Sequence, residues 1–437
     1  MSVKLKTLVT FFALLSLALL TACGAAPATE QPAAPTEAPQ PATEAPQEAA
    51  STTAPEPAAT EAEAEAAAPE GDPIVIGAVF NATGWMAAYD QPPRQGALLA
   101  VEEINKAGGV LGRPLQLIEL DGKTDPATVG NVTRQLIDQG ADVIIAPCDF
   151  DIGAPASQAA QEADLVGLST CASSPLYGSQ ALGDKQFTLS MWNNIMSAGA
   201  AEHAYTKAGF QTAYIVADTS IDYSLSLGDY FEKHFTKLGG KVIGKDTYVQ
   251  GDADFSAQIQ RIKGLSEQPD VLFISSYSPD LGTIIKQTRA AGITTPIMGG
   301  DTYDDAQFWQ VVGPELGTDL IFATHGWLGP ESGKANLENF VALYEAKYNE
   351  KPGTAFILTG WDAVNVLAQA IEKAGSTDGA AVAKAMEEME FDLLSGKLDW
   401  TPAAEGHQPI KEVAIVQLQG GQPSFVGWIL PEAPPEP

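Results

Sequence analysis

The residues able to do chemistry in this sequence gather where apolar runs end. In "VIIAPCDFDIGAPAS", residues 143–157, the run Val143, Ile144, Ile145 reads as a buried strand; Cys148 follows, then two carboxylates, Asp149 and Asp151. A short, proline-opened helix is expected from about Ala154. In an open α/β sheet ligands sit beyond the carboxyl ends of strands, so acids placed there either face a crevice or cap the next helix. Capping is the simpler role for Asp151, while Asp149, directly after the strand, is assigned to the crevice. Asp301 closes "TPIMGGD" and precedes "TYDDAQFW", where Asp304 or Asp305 is the more natural helix cap. That frees Asp301 for a ligand. Tyr277, in "SSYSPD", ends a strand and opens a loop, a crevice position for which a core tyrosine is the plain alternative. Asp254, before "FSAQIQRIK", reads as a cap.

Other chemistries find little support. No G-x-S-x-G, H-E-x-x-H or P-loop pattern occurs, although a triad assembled only in space would leave no such trace. His203, His234, His325 and His407 are scattered without metal-ligand spacing, and three cysteines are too few for a zinc ribbon or a disulfide scaffold. No cofactor, metal or catalytic residue is therefore expected. Lys plus Arg number 24 against 55 Asp plus Glu, a net charge of −31, which has the wrong sign for nucleic acid.

The first 72 residues stand apart. Lys4 and Lys6 precede the apolar "TLVTFFALLSLALL" and then "LTAC" at 20–23. A run of roughly 14 apolar residues falls short of the ~20 that span a bilayer, and a basic start with small residues at the end describes a secretory signal. "LTAC" resembles the lipobox of bacterial lipoproteins, which implies cleavage after residue 22 and a lipid on Cys23. Residues 24–72 are Ala, Pro, Glu, Thr and Gln almost throughout, with "TEAPQ" at 36–40 and again at 43–47, ten acids and no Lys or Arg. Such a segment cannot bury apolar surface and is expected to be a disordered tether, reaching on the order of 150 Å at ~3.1 Å per residue.

The elements that must position these site residues lie between 73 and 430. "PIVIGAVF", a helix in "PPRQGALLAVEEINKAGG", "PLQLIELD", a helix in "DPATVGNVTRQLIDQG", "ADVIIAPC", "PASQAAQEAD" and "LVGLSTC" alternate strand with helix. That pattern predicts a parallel sheet covered by helices. It restarts after a break near 190–194 with "TAYIVAD", "KVIGKDTYV", "DVLFISSY", "TPIMGGD" and their intervening helices. "DLIFATHGW", two helices and the closing strands "GKLDW" and "VAIVQLQ" then return the chain. Two doubly wound parallel-sheet lobes joined by a hinge, with a cleft between them, are expected. The expected boundaries are a signal at 1–22 and the lipidated tether at 23–72. Lobe 1 takes 73–189 plus 326–396, lobe 2 takes 190–325 plus 397–430, and 431–437 forms an unstructured tail.

"IVIGAVFNATG…GALLAVEEINKAGGVLGRPLQLIELDGKTDP", together with "DFSAQIQRIK" and "PIMGGD", resembles solute-binding proteins of the leucine/isoleucine/valine-binding family across about residues 73–430. The resemblance implies the type I periplasmic binding fold and delivery of a solute to the permease of an ABC importer. It also implies a ligand set. Cys148–Phe150, with Asp149, matches the segment that holds the ligand's carboxylate, and "STCASSP" places Cys171 and Ser173 beside it. Tyr223 and Tyr277 match aromatic positions of the second lobe, and Asp301 matches an acid that pairs with the ligand's ammonium. Trp85 and Tyr89 match the loop that closes over the side chain. Asp149 and Phe150 depart from the family, which has small hydroxyl residues there.

Cys148 and Cys171 end neighbouring strands in an oxidising compartment, so a disulfide is expected, with two buried free thiols as the alternative. The segment that pairs with the Cys148 position in the family offers Thr124 here. With acids on both walls among aromatic rings, the ligand expected is a small amino acid or derivative, then a basic or amide solute, and no dicarboxylate. The whole is read as a monomer outside the cytoplasm, anchored to the cell membrane only by lipid. A ligand sensor on the same fold, feeding a membrane signalling partner, is the alternative function.

Overall fold

The computed structural model describes residues 68–437; the signal, Cys23 and nearly all of the tether lie outside the described residues. The first lobe alternates β1 (Ile74–Phe80), α1 (Ala87–Lys106), β2 (Leu115–Asp121), α2 (Pro126–Asp138) and β3 (Val143–Ala146). It continues through α3 (Phe150–Glu162), β4 (Gly167–Ser169), α4 (Ser179–Leu182) and β5 (Gln186–Thr188). All pairings in this sheet are parallel, in the order β2-β1-β3-β4-β5. β3 is buried at every position, as an apolar run covered on both faces must be.

The second lobe opens with α5 (Asn193–Glu202), β6 (Thr212–Asp218), α6 (Asp222–Lys237), β7 (Lys241–Tyr248) and α7 (Ser256–Lys263). β8 (Val271–Ser275), α8 (Asp280–Ala290), β9 (Ile297–Gly299), α9 (Ala306–Val312) and β10 (Leu320–Thr324) follow. The chain then returns to the first lobe as α10 (Leu337–Tyr348), α11 (Phe356–Ala374), α12 (Gly379–Glu387), β11 (Phe391–Leu393), β12 (Gly396–Trp400) and β13 (Pro409–Lys411). β14 (Val413–Gln419) and β15 (Gln422–Ile429) end the second sheet, whose order is β15-β14-β10-β9-β8-β6-β7. β14 runs antiparallel to β10, and β15 antiparallel to β14, so this sheet carries an antiparallel edge that the first lacks.

Two boundaries differ from expectation. Residues 397–411 belong with the first lobe, because β12 pairs with β11 and β13 in a small antiparallel sheet. Trp400 packs edge-on to Phe187, and its Nε1–H donates to the Thr188 carbonyl at 2.9 Å. The last crossing therefore falls at 411–413. The tail at 431–437 has no regular secondary structure, yet it lies along the second lobe instead of standing free. Glu432 N–H donates to Glu202, while the Ala433 and Pro435 carbonyls accept from Lys237 and Asn194.

The first and last crossings are fastened to each other. Lys411, buried, donates from Nζ to the Leu189 carbonyl at 2.7 Å and to Ser395 Oγ at 2.9 Å. Burial pushes its ammonium down to about 8, and the Asp362 carboxylate opposes that shift.

Helix α1 is set against α11 through glycines. A Cβ on Gly360 would lie 1.7 Å from the Pro93 carbonyl oxygen, and one on Gly96 2.1 Å from that of Ile357. Only this close approach brings the first turns of both helices, with Tyr89 and Phe356, to one place.

Candidate functional site

The carboxyl ends of β1, β3 and β4 face those of β6, β8 and β9 across a small cavity. It is lined from the first lobe by Trp85, Met86, Tyr89, Cys148, Asp149, Cys171, Ser173 and Phe356, and from the second by Ile221, Tyr223, Tyr277, Asp301 and Thr302. Eight of the nine residues singled out for ligand contact thus meet at one cavity. Phe150 does not. As the first residue of α3 it turns away and packs edge-on against Tyr177, ring centroids 6.4 Å apart.

Two helices begin earlier than their prolines suggest. α1 starts at Ala87 with Pro92 and Pro93 inside it, and α3 starts at Phe150 with Pro155 inside it. Proline suits a first helical turn, but here a buried anchor on the preceding residues extends each helix by at least a turn. For α1 that anchor is Asp90: its carboxyl accepts from Asn81 N–H, from Asn81 Nδ2 at 2.6 Å and from Cys148 N–H at 2.8 Å. One side chain thereby ties the ends of β1 and β3 to α1, and burial raises its carboxyl to about 7. Tyr89, expected in a loop, consequently sits in the first turn of α1.

For α3 the anchor is Asp149, which is both crevice residue and cap. Its Oδ1 accepts from Ile152 N–H at 3.1 Å. Its backbone, at φ 76° and ψ 147°, occupies a region where side-chain-bearing residues are strained by about 1–3 kcal/mol, a cost that persists where surroundings over-determine the conformation. Burial first, and the neighbouring Asp151 carboxylate second, push Asp149 up to about 8. Near neutral pH it is therefore largely the neutral acid, able to donate a hydrogen bond.

Asp151 is a cap too, though not of its own helix. Its Oδ2 accepts from the N–H of Asp222, the first residue of α6 in the opposite lobe, at 2.9 Å. Ser174 Oγ donates to the Asp222 carboxylate beside it. Further contacts cross the cleft: Ser278 N–H donates to Tyr89 Oη at 2.9 Å, and the Trp85 and Tyr277 rings stack with centroids 4.5 Å apart. Asp304 Oδ2 accepts from Thr324 Oγ1 and, across the lobes, from Ala355 N–H at 3.1 Å.

The second wall is built around Asp301. The residue is 3% exposed; Oδ1 accepts from Tyr223 Oη at 2.7 Å, and Oδ2 lies 2.8 Å from His325 Nε2. An ionised carboxylate offers about four lone-pair positions, so these two partners orient it and leave room for a ligand donor. On the first wall Ser173 and Cys171 supply a small-residue loop, and the Ser173 carbonyl accepts from Asn193 N–H at the first crossing. Cys148 and Cys171 stand as a disulfide in the structure, Cα atoms 4.8 Å apart, inside the span a bridge requires. Among the described residues no group of three His, Cys, Asp or Glu side chains is arranged to hold a metal ion.

Sequence reasoning misses Met86, Ile221, Thr302, Phe356 and His325. His325 was within reach, since it follows "DLIFAT" at the end of a strand, where the crevice rule points. Phe356, at the start of a helix in the returning chain, carries no such mark.

Two α/β lobes clasping a small, largely apolar cavity at their strand ends define a solute-binding protein. The family profile described as periplasmic binding protein matches residues 73–422. A Leu/Ile/Val-binding protein of Rhizobium johnstonii is 30% identical over 331 residues, covering 75% of this chain and 87% of the relative. A leucine binding protein from Thermotoga maritima shares the fold with a TM-score of 0.74 at 27% identity, over 82% of this chain and 99% of that one. A branched-chain amino acid transporter substrate binding protein from Streptococcus pneumoniae, solved with isoleucine, gives 0.73 at 25% identity over 81% and 99%. The chain belongs to the periplasmic binding protein family, in the Leu/Ile/Val-binding type of ABC-transporter solute-binding proteins. Its fold is type I, its work is binding rather than catalysis, and its place is outside the cytoplasm.

Proposed function

We propose that this protein is the lipid-anchored, monomeric binding component of an ABC importer, which captures a small amino acid or amino-acid-like solute by closing its two lobes and presents the closed form to the permease. The observation that carries this reading is the unlike chemistry of the two walls. Asp301, oriented by Tyr223 and His325, is the natural partner of an ammonium. Opposite it, the Ser173 hydroxyl, the backbone around Cys171 and a protonated Asp149 suit the ligand's carboxylate or amide. Trp85, Tyr89, Tyr223, Tyr277, Met86 and Phe356 enclose an apolar side chain. Relatives named for leucine, isoleucine and valine agree with this choice.

Contacts that span the lobes, Asp151 with Asp222 and Tyr89 with Ser278, support closure. A ligand that adds contacts to both walls shifts the population toward that state. The lipid on Cys23 and the tether would hold the body near its permease.

Titration calorimetry with a panel of amino acids, their des-amino analogues and dicarboxylates tests the ligand class. Tight binding of a dicarboxylate, or binding of des-amino analogues as strong as that of the amino acids, would show the wall assignment to be wrong. Lipid attachment is tested separately: Cys23→Ala should leave an unlipidated precursor, and normal lipid labelling of that variant would sink the anchor.

A further inference from the structure

His325 directly follows β10, in the segment that carries the chain back to the first lobe. Its ring is fully buried, and among the described residues its Nδ1 has no hydrogen-bond partner. With Asp301 ionised, a 2.8 Å contact needs a proton between the two groups, so Nε2 carries the hydrogen and donates it. The state of Nδ1 decides the charge of the ring. In the neutral ring it is an unpaired lone pair; in the charged ring it would be an unpaired, buried donor bearing part of a positive charge, which is costlier.

The groups around the ring point the same way. Phe356 of α11 presents an aromatic ring at 5.0 Å between centroids and no charge. Tyr223 of α6 reaches the pair only through Asp301, and Asp304 shares the turn that bears Asp301. Lys411 of β13 adds a positive field. Burial, the largest influence, and Lys411 hold the imidazole below its ordinary value, while Asp301 opposes them.

We propose that His325 is a specificity-determining residue of the cleft: as a neutral donor it orients Asp301 while leaving that carboxylate its full charge, so that the wall selects solutes bearing an ammonium group. A lysine or arginine at this position would orient the acid equally well but cancel its charge. A protonated His325 would do the same, so amine binding should weaken as the medium becomes acidic. The inference rests on the reading that the ligand's ammonium pairs with Asp301, and it makes His325 a positioning residue acting through that acid.

With four histidines in the sequence, a full chain labelled with 15N-histidine gives a spectrum simple enough to assign by loss of the His325 signal in His325→Gln. The expected result is a neutral ring protonated on Nε2 at neutral pH, titrating below the ordinary histidine value of about 6.5, and a signal displaced in Asp301→Asn. A His325 protonated on both nitrogens at pH 7 overturns the inference, whatever the ligand.

The second arm uses L-leucine as the probe, followed by calorimetry from about pH 7.5 to 4.5, a range in which its own ammonium and carboxylate stay charged. The native chain should lose roughly tenfold in affinity, the equivalent of about one pKa unit of coupling, and His325→Gln, a donor that cannot be charged, clearly less than half of that on a logarithmic scale. Equal losses in both overturn the role of His325. If Asp301→Asn binds leucine as tightly as the native chain, it is the ammonium reading that fails. If Asp301→Asn abolishes binding and His325→Gln keeps the native pH profile, only the His325 inference fails. Should leucine not bind, the imidazole spectrum alone decides.

Discussion

The two walls of the cleft each carry a buried aspartate, and the two are held in opposite ways. Asp301, on the second lobe, has a side-chain partner on each oxygen, Tyr223 and His325. Asp149, on the first, has one backbone N–H, a left-handed backbone and another carboxylate two residues away. Residue type is the same and burial nearly so, at 3% and 7% exposed. Support differs: two side-chain partners orient Asp301, while burial and a neighbouring carboxylate push Asp149 toward its neutral form. On the proposed reading, a cleft with two acids still accepts a zwitterion end to end.

The largest effect that sharpens this contrast is expected at Asp301. Asp301→Ala should weaken binding of an amino-acid ligand by on the order of 2–5 kcal/mol, the range for truncating one partner of a buried charge pair. Asp149→Asn, which replaces one neutral donor by another, should cost far less. Calorimetry on both variants decides, and comparable losses would erase the distinction between the walls.

Next in size is the Cys148–Cys171 bridge, which belongs to the first wall alone and closes a loop with a sequence separation of 23. Removing it through Cys171→Ala should lower unfolding stability by about 3 kcal/mol, as read from denaturant curves. Rapid alkylation of both cysteines in unreduced, denatured protein would rule the bridge out.

The protonation states carry a smaller, signed effect. Asp149, raised to about 8, and Asp90 and Asp304, raised to about 7, keep protons in the folded state that an unfolded chain releases near pH 4. Stability should therefore fall as pH rises through the interval from about 4 to those raised values, each group contributing at most about 1.4 kcal/mol per pH unit. His203, His234 and His325, all lowered by burial, act oppositely: their contribution is lost as pH falls below about 6.5. From pH 6.5 to about 7.5 the acids dominate, before buried Lys411, lowered to about 8, begins to act oppositely, so melting temperature should decline across that window, and less steeply in Asp149→Asn. A flat or rising profile would mean that Asp149 is ionised after all.

The smallest effect concerns the latch between the walls. Asp151 does not line the cavity, and its role is the bond to Asp222 N–H. Asp151→Ala should weaken ligand affinity about fivefold, the worth of one hydrogen bond of ~1 kcal/mol, and should raise the open population seen by small-angle scattering. An unchanged affinity would show that this contact accompanies closure without favouring it.

Much of this molecule is legible in its sequence because the signals are local and periodic. "PIVIGAVF" and "ADVIIAPC" can only be buried strands, their alternation with helices demands parallel sheets, and the crevice rule then selects Asp149, Tyr277 and Asp301 from dozens of acids and aromatics. The misses are also local. Proline marks a later opening for α1 and α3 than the structure has, and Phe150 reads as a cleft residue alongside its neighbour. A sequence does not display the buried anchors at Asp90 and Asp149 that start those helices earlier. The affiliation of β12 with the first lobe is likewise invisible, since five residues of strand pattern do not say which sheet or core they join.

The sequence by itself therefore determined the layered architecture and the strand ends at which a ligand site could form, both of which follow from hydrophobic period and chain order. How each cleft acid is supported, that Asp151 caps a helix of the other lobe, and that His325 stands behind Asp301 depended on tertiary structure. Those contacts join residues 78 positions apart for Tyr223 and Asp301, 71 for Asp151 and Asp222, and 24 for His325 and Asp301. A carboxyl group's protonation is fixed by the water it loses and the donors it meets, and both come from parts of the chain that only folding brings together.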